Sequence, residues 1–215
     1  MLRAIIFDLD GTLGNTLPVV FAALNAVFRR HLGRTFTDEE ITRMFGPNEQ
    51  GIIQRLVPSD HAAAYAEFLE EYDSAHSSCT APLPGIPEAL AALRDRGVML
   101  GIVTGKGPES ADISLRHLGI GGLFDAVRAG SVHGDRKPGI ILEMLHEWGL
   151  RPDQAAYVGD SVSDIESARA AGVTALAAAW AATADTDRLR ACNPDELFVS
   201  VPELMEWVLG RLGDT

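Results

Sequence analysis

Five short apolar runs constrain the fold of this chain more than any other feature: Leu2–Asp8, Val98–Val103, Ala126–Ala129, Ala155–Val158 and Val173–Ala177. Each is continuous rather than alternating, the pattern of strands buried on both faces of a parallel sheet. Helical periodicity accompanies the last four, over Ile86–Arg96, Pro108–His117, Lys137–Trp148 and Ser161–Ala171. Pro87 and Pro138 fall in first-turn positions, and Gly97, Gly119, Gly149 and Gly172 lie where these helices should stop. The alternation predicts an α/β fold built on a doubly wound parallel sheet.

Residues 15–80 break that rhythm. They hold no convincing strand, and helical periodicity appears over Leu17–His31, Asp38–Phe45, Glu49–Leu56 and Asp60–Ala75. Thr37, with Glu40 three residues on, predicts an N-cap with a capping box. The Pro- and Gly-rich stretch Ala81–Gly85 returns the chain to the sheet. The expected organisation is a core from residues 1–14 and 81–215, with residues 15–80 inserted as an all-helical lid or cap.

Composition narrows the partners. The 215 residues carry a formal charge of −12, which disfavours nucleic acid and anionic membrane. Two cysteines, Cys79 and Cys192, are too few for a disulfide framework, and the short apolar run after Met1-Leu2-Arg3 does not read as a signal peptide. The expected setting is the cytoplasm. Of 18 basic residues only two are lysines, Lys106 and Lys137. Either they survived a bias toward arginine by chance or each is needed as a compact point charge.

Four motifs stand at the ends of predicted strands. After the first comes Phe7-Asp8-Leu9-Asp10-Gly11-Thr12-Leu13. Period-2 spacing points Asp8 and Asp10 the same way unless the Gly11 turn redirects Asp10. The plain alternative is a strand-end turn with solvated acids. The second strand delivers Thr104-Gly105-Lys106, which is not a Walker loop but offers a hydroxyl and backbone N–H groups for phosphate oxygens. Lys137 sits in the first turn of a predicted helix, where the helix dipole disfavours a cation, so it is either solvated or has a countercharge. After the fourth strand, Asp160 and Asp164 are one helical turn apart. They face one ion with the oxygen ligands Mg2+ prefers, or Asp160 merely caps the helix. In a parallel sheet, all four motifs converge on one crevice beyond the strands' C-terminal ends.

These motifs, in this order, resemble the haloacid-dehalogenase-like (HAD) hydrolase superfamily in its phosphoglycolate-phosphatase-like branch, and the resemblance covers the whole chain. It implies a Rossmann-like core with a helical C1 cap. Asp8 matches the nucleophile that forms an aspartyl-phosphate, and Asp10 the general acid/base. Thr104 matches the phosphate-binding hydroxyl, flanked by Gly105 and Lys106, and Lys137 the lysine that steadies nucleophile and phosphoryl group. Asp160 and Asp164 match the Mg2+ acids, with the Asp8 carboxylate and the Asp10 backbone carbonyl completing the set. The implied activity is Mg2+-dependent hydrolysis of a small-molecule phosphate ester, with phosphoglycolate one candidate.

Departures from the family pattern mark what else to examine. Asn15 stands where relatives carry Asp, and as a helix N-cap it preserves the way into the insert. No lysine lies in residues 15–80, which excludes Schiff-base phosphonate cleavage, and the presence of Asp10 argues against dehalogenation. A sugar-phosphate mutase using His31, His61 or His76, and a non-catalytic phosphate-binding regulator, are the competing readings. Arg43, Asn48 and Gln50, in the turn between two insert helices, are candidates for recognising the leaving group, with a solvated surface as the alternative. The Trp180 loop either lines the entrance or packs.

Overall fold

The computed structural model describes residues 1–134 and 136–213. Six parallel strands form one sheet: β1 (Ala4–Phe7), β2 (Met99–Val103), β3 (Ala126–Arg128), β4 (Ala155–Gly159), β5 (Thr174–Ala178) and β6 (Glu196–Phe198). Their order is β3-β2-β1-β4-β5-β6. The chain winds outward from β1 to β3, returns to place β4 against β1, and winds the other way. Phe7 therefore lies between Ile102 and Val158, at the point where winding reverses and α/β sheets bind ligands. β6 is a three-residue edge strand of mixed polarity that the run-based reading does not predict.

Alternation along β1 explains its uninterrupted apolar run. Ile5 and Phe7 pack with α5 (Ile86–Arg94), α6 (Pro108–Leu118) and α10 (Val201–Leu209) on one face. Ala4 and Ile6 pack with α7 (Lys137–Glu147), α8 (Val162–Ala171) and α9 (Thr186–Ala191) on the other. Helices α6 and α8 end on left-handed glycines, Gly119 and Gly172, as predicted. No described helix is long and apolar enough to cross a membrane.

Between β1 and α5 lie four helices, α1 (Leu17–Leu32), α2 (Asp38–Thr42), α3 (Glu49–Leu56) and α4 (His61–Ala75). They share a hydrophobic cluster of their own, centred on Leu24, Phe28, Ile53, Phe68 and Tyr72, all fully buried. Thr37 caps α2 and closes the capping box with Glu40. The cap of α1 differs from expectation: Thr16, not Asn15, is its N-cap, and the Thr16 side chain makes no cap bond because it is turned toward Asp10.

Candidate active site

Asp8 continues β1 and is held there by its N–H, which donates to the Val158 carbonyl at 2.8 Å. The chain then turns at once. Gly11 adopts φ +74°, and a Cβ on it would lie 1.9 Å from Asp160 Oδ2. Only glycine meets both demands, so the first motif and the fourth approach one another through this residue. The Gly11 N–H donates to the Gly14 carbonyl at 2.8 Å and closes the turn.

Three carboxylates converge beyond β1 and β4. One oxygen from each of Asp8, Asp160 and Asp164 lies within 4.8 Å of the others. Lys137 joins them from the start of α7, its Nζ donating to Asp8 Oδ1 at 2.9 Å and Asp164 Oδ1 at 2.6 Å. That is the countercharge which makes a cation tolerable at this helix N-terminus. Asp164 is fixed further by the α8 cap: the Ser161 hydroxyl donates to its Oδ2 at 2.6 Å, and the Ser161 N–H at 3.1 Å. The N-cap of α8 is Ser161, so Asp160 is not spent on capping. Tyr157, from β4, donates to the Val103 carbonyl at 2.7 Å and has its hydroxyl 3.2 Å from Asp164 Oδ1.

The electrostatics follow from this crowding. Burial pushes the Asp8 carboxyl up to about 7; Lys137 opposes that shift, while Asp164 and Asp10 add to it. Burial, with Asp164 and Asp8 beside it, holds Asp160 well above the usual carboxylate range. Burial alone would lower Lys137, but Asp164 and Asp8 outweigh it and keep the ammonium charged. One lysine does not neutralise three close carboxylates. A hard divalent cation with oxygen ligands fits this donor set, and Mg2+ is such a cation.

Asp10 points elsewhere. Its Oδ1 accepts from the Thr16 hydroxyl and lies 3.1 Å from Lys106 Nζ, so its carboxylate stands outside the three-acid cluster. Lys106 is buried, with its ammonium 4.6 Å above the Tyr72 ring and 3.6 Å from Glu49 Oε1. These are charge contacts; among the described residues the ammonium makes no well-directed hydrogen bond. Glu49, at the start of α3, also accepts from the Gly107 N–H at 2.7 Å and the Ser110 hydroxyl at 2.9 Å. It thus ties the helical insert to the N-terminus of α6. Neither Glu49 nor Thr16 stands out in the sequence. Their partners are distant in the chain or across a turn, and only the position of Glu49 at a helix start hints at a role.

A cavity of about 770 Å³ opens over this centre. It is lined by Asp8, Asp10, Asp160, Asp164, Lys106 and Lys137, and also by Gly105 and Asn48. Thr104 is fully buried beneath it, its hydroxyl accepting from the Lys106 N–H at 3.3 Å. Of the three turn candidates only Asn48 is at the cavity. Its side chain caps α3 through Gly51, and its N–H donates to the Ser131 carbonyl. Arg43 is turned to solvent, where it pairs with Glu39 one helical turn away, and Gln50 is not part of the lining. The three insert histidines lie outside it too: His31 bonds Glu67, His61 the Val57 carbonyl, and His76 the Cys79 carbonyl and Ser114. Trp180 packs, donating to the Thr12 carbonyl at 3.0 Å.

Known proteins share both the sequence and the fold. Residues 5–178 match the model of the haloacid dehalogenase-like hydrolase family. The chain is 32% identical over 209 residues to a phosphoglycolate phosphatase of Xylella fastidiosa (strain 9a5c), covering 94% of this chain and 91% of that protein. It is 30% identical over 182 residues to the Aquifex aeolicus phosphoglycolate phosphatase, covering 83% and 85%. The crystal structure of CbbY from Rhodobacter sphaeroides in complex with phosphate superposes with a TM-score of 0.79 at 23% identity, covering 95% of this chain and 96% of that one. With its acids gathered at the switch point of such a sheet, the chain belongs to the haloacid dehalogenase-like hydrolase family and is a phosphatase enzyme.

Proposed function

We propose that the protein hydrolyses a small-molecule phosphate monoester with the help of Mg2+, through an aspartyl-phosphate on Asp8. The observation that carries this reading is the buried Asp8 carboxylate, bonded to Lys137 at 2.9 Å and close to Asp160 and Asp164. An oxygen nucleophile fixed in this way attacks phosphorus, and the ester bond to the leaving oxygen breaks. Lys137 holds the nucleophile in place and offsets charge on the transferring phosphoryl group. Asp10, positioned by Thr16 and Lys106, gives its proton to the leaving oxygen. It then takes a proton from the water that hydrolyses the acyl phosphate. In the Thr104-Gly105-Lys106 turn the Thr104 N–H is taken by the Arg128 carbonyl and the Lys106 N–H by the Thr104 hydroxyl, so the Gly105 N–H, at the cavity, is the group that would meet a phosphate oxygen, with the Lys106 ammonium beside Asp10. Held by Asp8, Asp160 and Asp164, Mg2+ supplies the positive charge that lets a carboxylate approach a phosphate.

In this reading residues 15–80 are the cap and residues 1–14 and 81–215 the core, with Asn48 and Glu49 meeting the substrate side of the core. Two free thiols, Cys79 and Cys192, suit the reducing cytoplasm in which we place the enzyme. Hydrolysis is favoured over phosphoryl transfer between sugar positions because no cap histidine lines the cavity. Phosphoglycolate is the substrate for which the relatives are named, and it tests how the site treats a charged alcohol. The test is turnover of p-nitrophenyl phosphate with and without Mg2+, in the wild type and Asp8→Asn. Hydrolysis that needs both Mg2+ and Asp8 is expected; equal rates in the two proteins would remove Asp8 as nucleophile.

A further inference from the structure

The cavity's two sides differ in character. Its floor is the charged centre, whereas the cap contributes an apolar group, Leu17, Val20, Phe21, Phe45 and Ile52, together with the acids Asp38, Glu39 and Glu49. Phe21 and Phe45 stack with ring centroids 6.2 Å apart and planes 14° from parallel. Phe45 is 40% exposed, one of few large apolar side chains in the protein left that open. An uncovered aromatic pair facing a catalytic floor is the surface an apolar ligand buries.

The charges around the cavity point the same way. Among the described residues, the cap brings no lysine, arginine or histidine to the lining. Its charged side chains there are all acidic: Asp38 and Glu39, which are exposed, and Glu49, which is buried. Lys137 is engaged by Asp8 and Asp164, and Lys106 by Asp10 and Glu49. The third cation of the lining, Arg188, belongs to α9 in the core and is exposed. A leaving alcohol with its own carboxylate or second phosphate would meet Glu49 and apolar rings on the cap side. An anion forced beside a buried carboxylate is strongly disfavoured.

We propose that Glu49 and the Phe21–Phe45 wall select phosphate monoesters whose alcohol is uncharged and apolar, and reject alcohols bearing a carboxylate or a second phosphate. This rests on the phosphatase reading of the same site. The attractive element is the aromatic pair. The repulsive one is the Glu49 carboxylate, which also keeps Lys106 from serving as an anchor for a second anion.

The experiment compares kcat/KM for benzyl phosphate and phosphoglycolate, using the full chain at saturating Mg2+. Both esters release a primary alcohol, so the ratio reports the alcohol's charge and apolar surface. Benzyl phosphate is expected to be preferred by about tenfold or more, the scale of apolar-pocket discrimination. Glu49→Gln should narrow that ratio by raising phosphoglycolate relative to benzyl phosphate. Phe45→Ala should narrow it by lowering benzyl phosphate. A wild-type ratio near one, or one favouring phosphoglycolate, overturns the proposal; if Arg188→Ala then removes phosphoglycolate turnover, the anion is held at Arg188. Equal losses on both esters in Glu49→Gln and Phe45→Ala also overturn it, because they would mark both residues as merely structural. No turnover of either ester or of p-nitrophenyl phosphate would instead remove the phosphatase reading itself.

Discussion

The protein's two lysines serve two halves of one centre that are built differently. Lys137 bonds Asp8 and Asp164, and all three belong to the α/β core. Lys106 stands between Asp10 of the core and Glu49 of α3, with Tyr72 of α4 beneath it. The first half is complete without the helical insert, whereas the second exists only while the insert sits on the core. The proposed nucleophile and metal acids are therefore preorganised, and the surroundings of the proposed proton donor are assembled by docking. The contrast also suits their tasks, since displacement at phosphorus needs fixed charge and protonation of the alcohol needs the substrate enclosed.

The contrast can be broken at several points. Asp8→Asn removes the proposed nucleophile and should lower kcat by roughly 10^4- to 10^6-fold; steady-state turnover checks it. Lys137→Met leaves buried carboxylates without their partner and should cost about 10^2- to 10^3-fold in kcat, with p-nitrophenyl and benzyl phosphate affected alike. Mg2+ at 100 times its dissociation constant should stabilise the protein by about 2.7 kcal/mol, or about 5–10 °C in Tm for a chain of this size. Gly11→Ala, whose Cβ would meet Asp160, should abolish that calorimetric shift.

Smaller effects sharpen the other half. Lys106→Met should lower benzyl phosphate turnover by about tenfold or more, while p-nitrophenyl phosphate, whose leaving group needs little protonation, changes less. Parallel losses on the two esters would place Lys106 with the phosphoryl group rather than with the proton donor. Thr37→Ala removes the α2 capping box and should cost about 1 kcal/mol, read by denaturant titration.

What could be read from sequence was local. Asp8 and Asp160 stand at the ends of apolar runs, and Asp164 lies one helical turn beyond Asp160, so strand ends and spacing place all three. Lys137 was traceable because it violates helix-dipole preference, and Asp8 and Asp164 supply the reason. β6 is not legible in the sequence, because three residues of mixed polarity at a sheet edge leave no periodic trace. Asn15 reads as the α1 cap because Asn caps as well as the Asp of relatives; the helix starts one residue later, at Thr16, whose hydroxyl donates to Asp10. Arg43 and Gln50 looked equal to Asn48 in a turn whose orientation depends on docking. Lys106 stands out in the sequence as one of two lysines, but its contact with Glu49 does not, because it joins residues far apart in the chain.

The connection between insert and core also bears on how the chain finds its fold. β1 pairs with β2 through Ala4 and Met99, so β1 cannot join the sheet without closing a loop that contains the entire insert, whereas β2 with β3 and β4 with β5 pair without it. A disordered segment of that length would slow the search by its chain entropy. The insert's separate hydrophobic cluster lets it collapse on its own, and the Leu83 N–H donates to the Leu13 carbonyl at 2.9 Å where its two ends meet. A helical body that forms early and returns its ends side by side turns a slow, long-range strand pairing into a nearly local one.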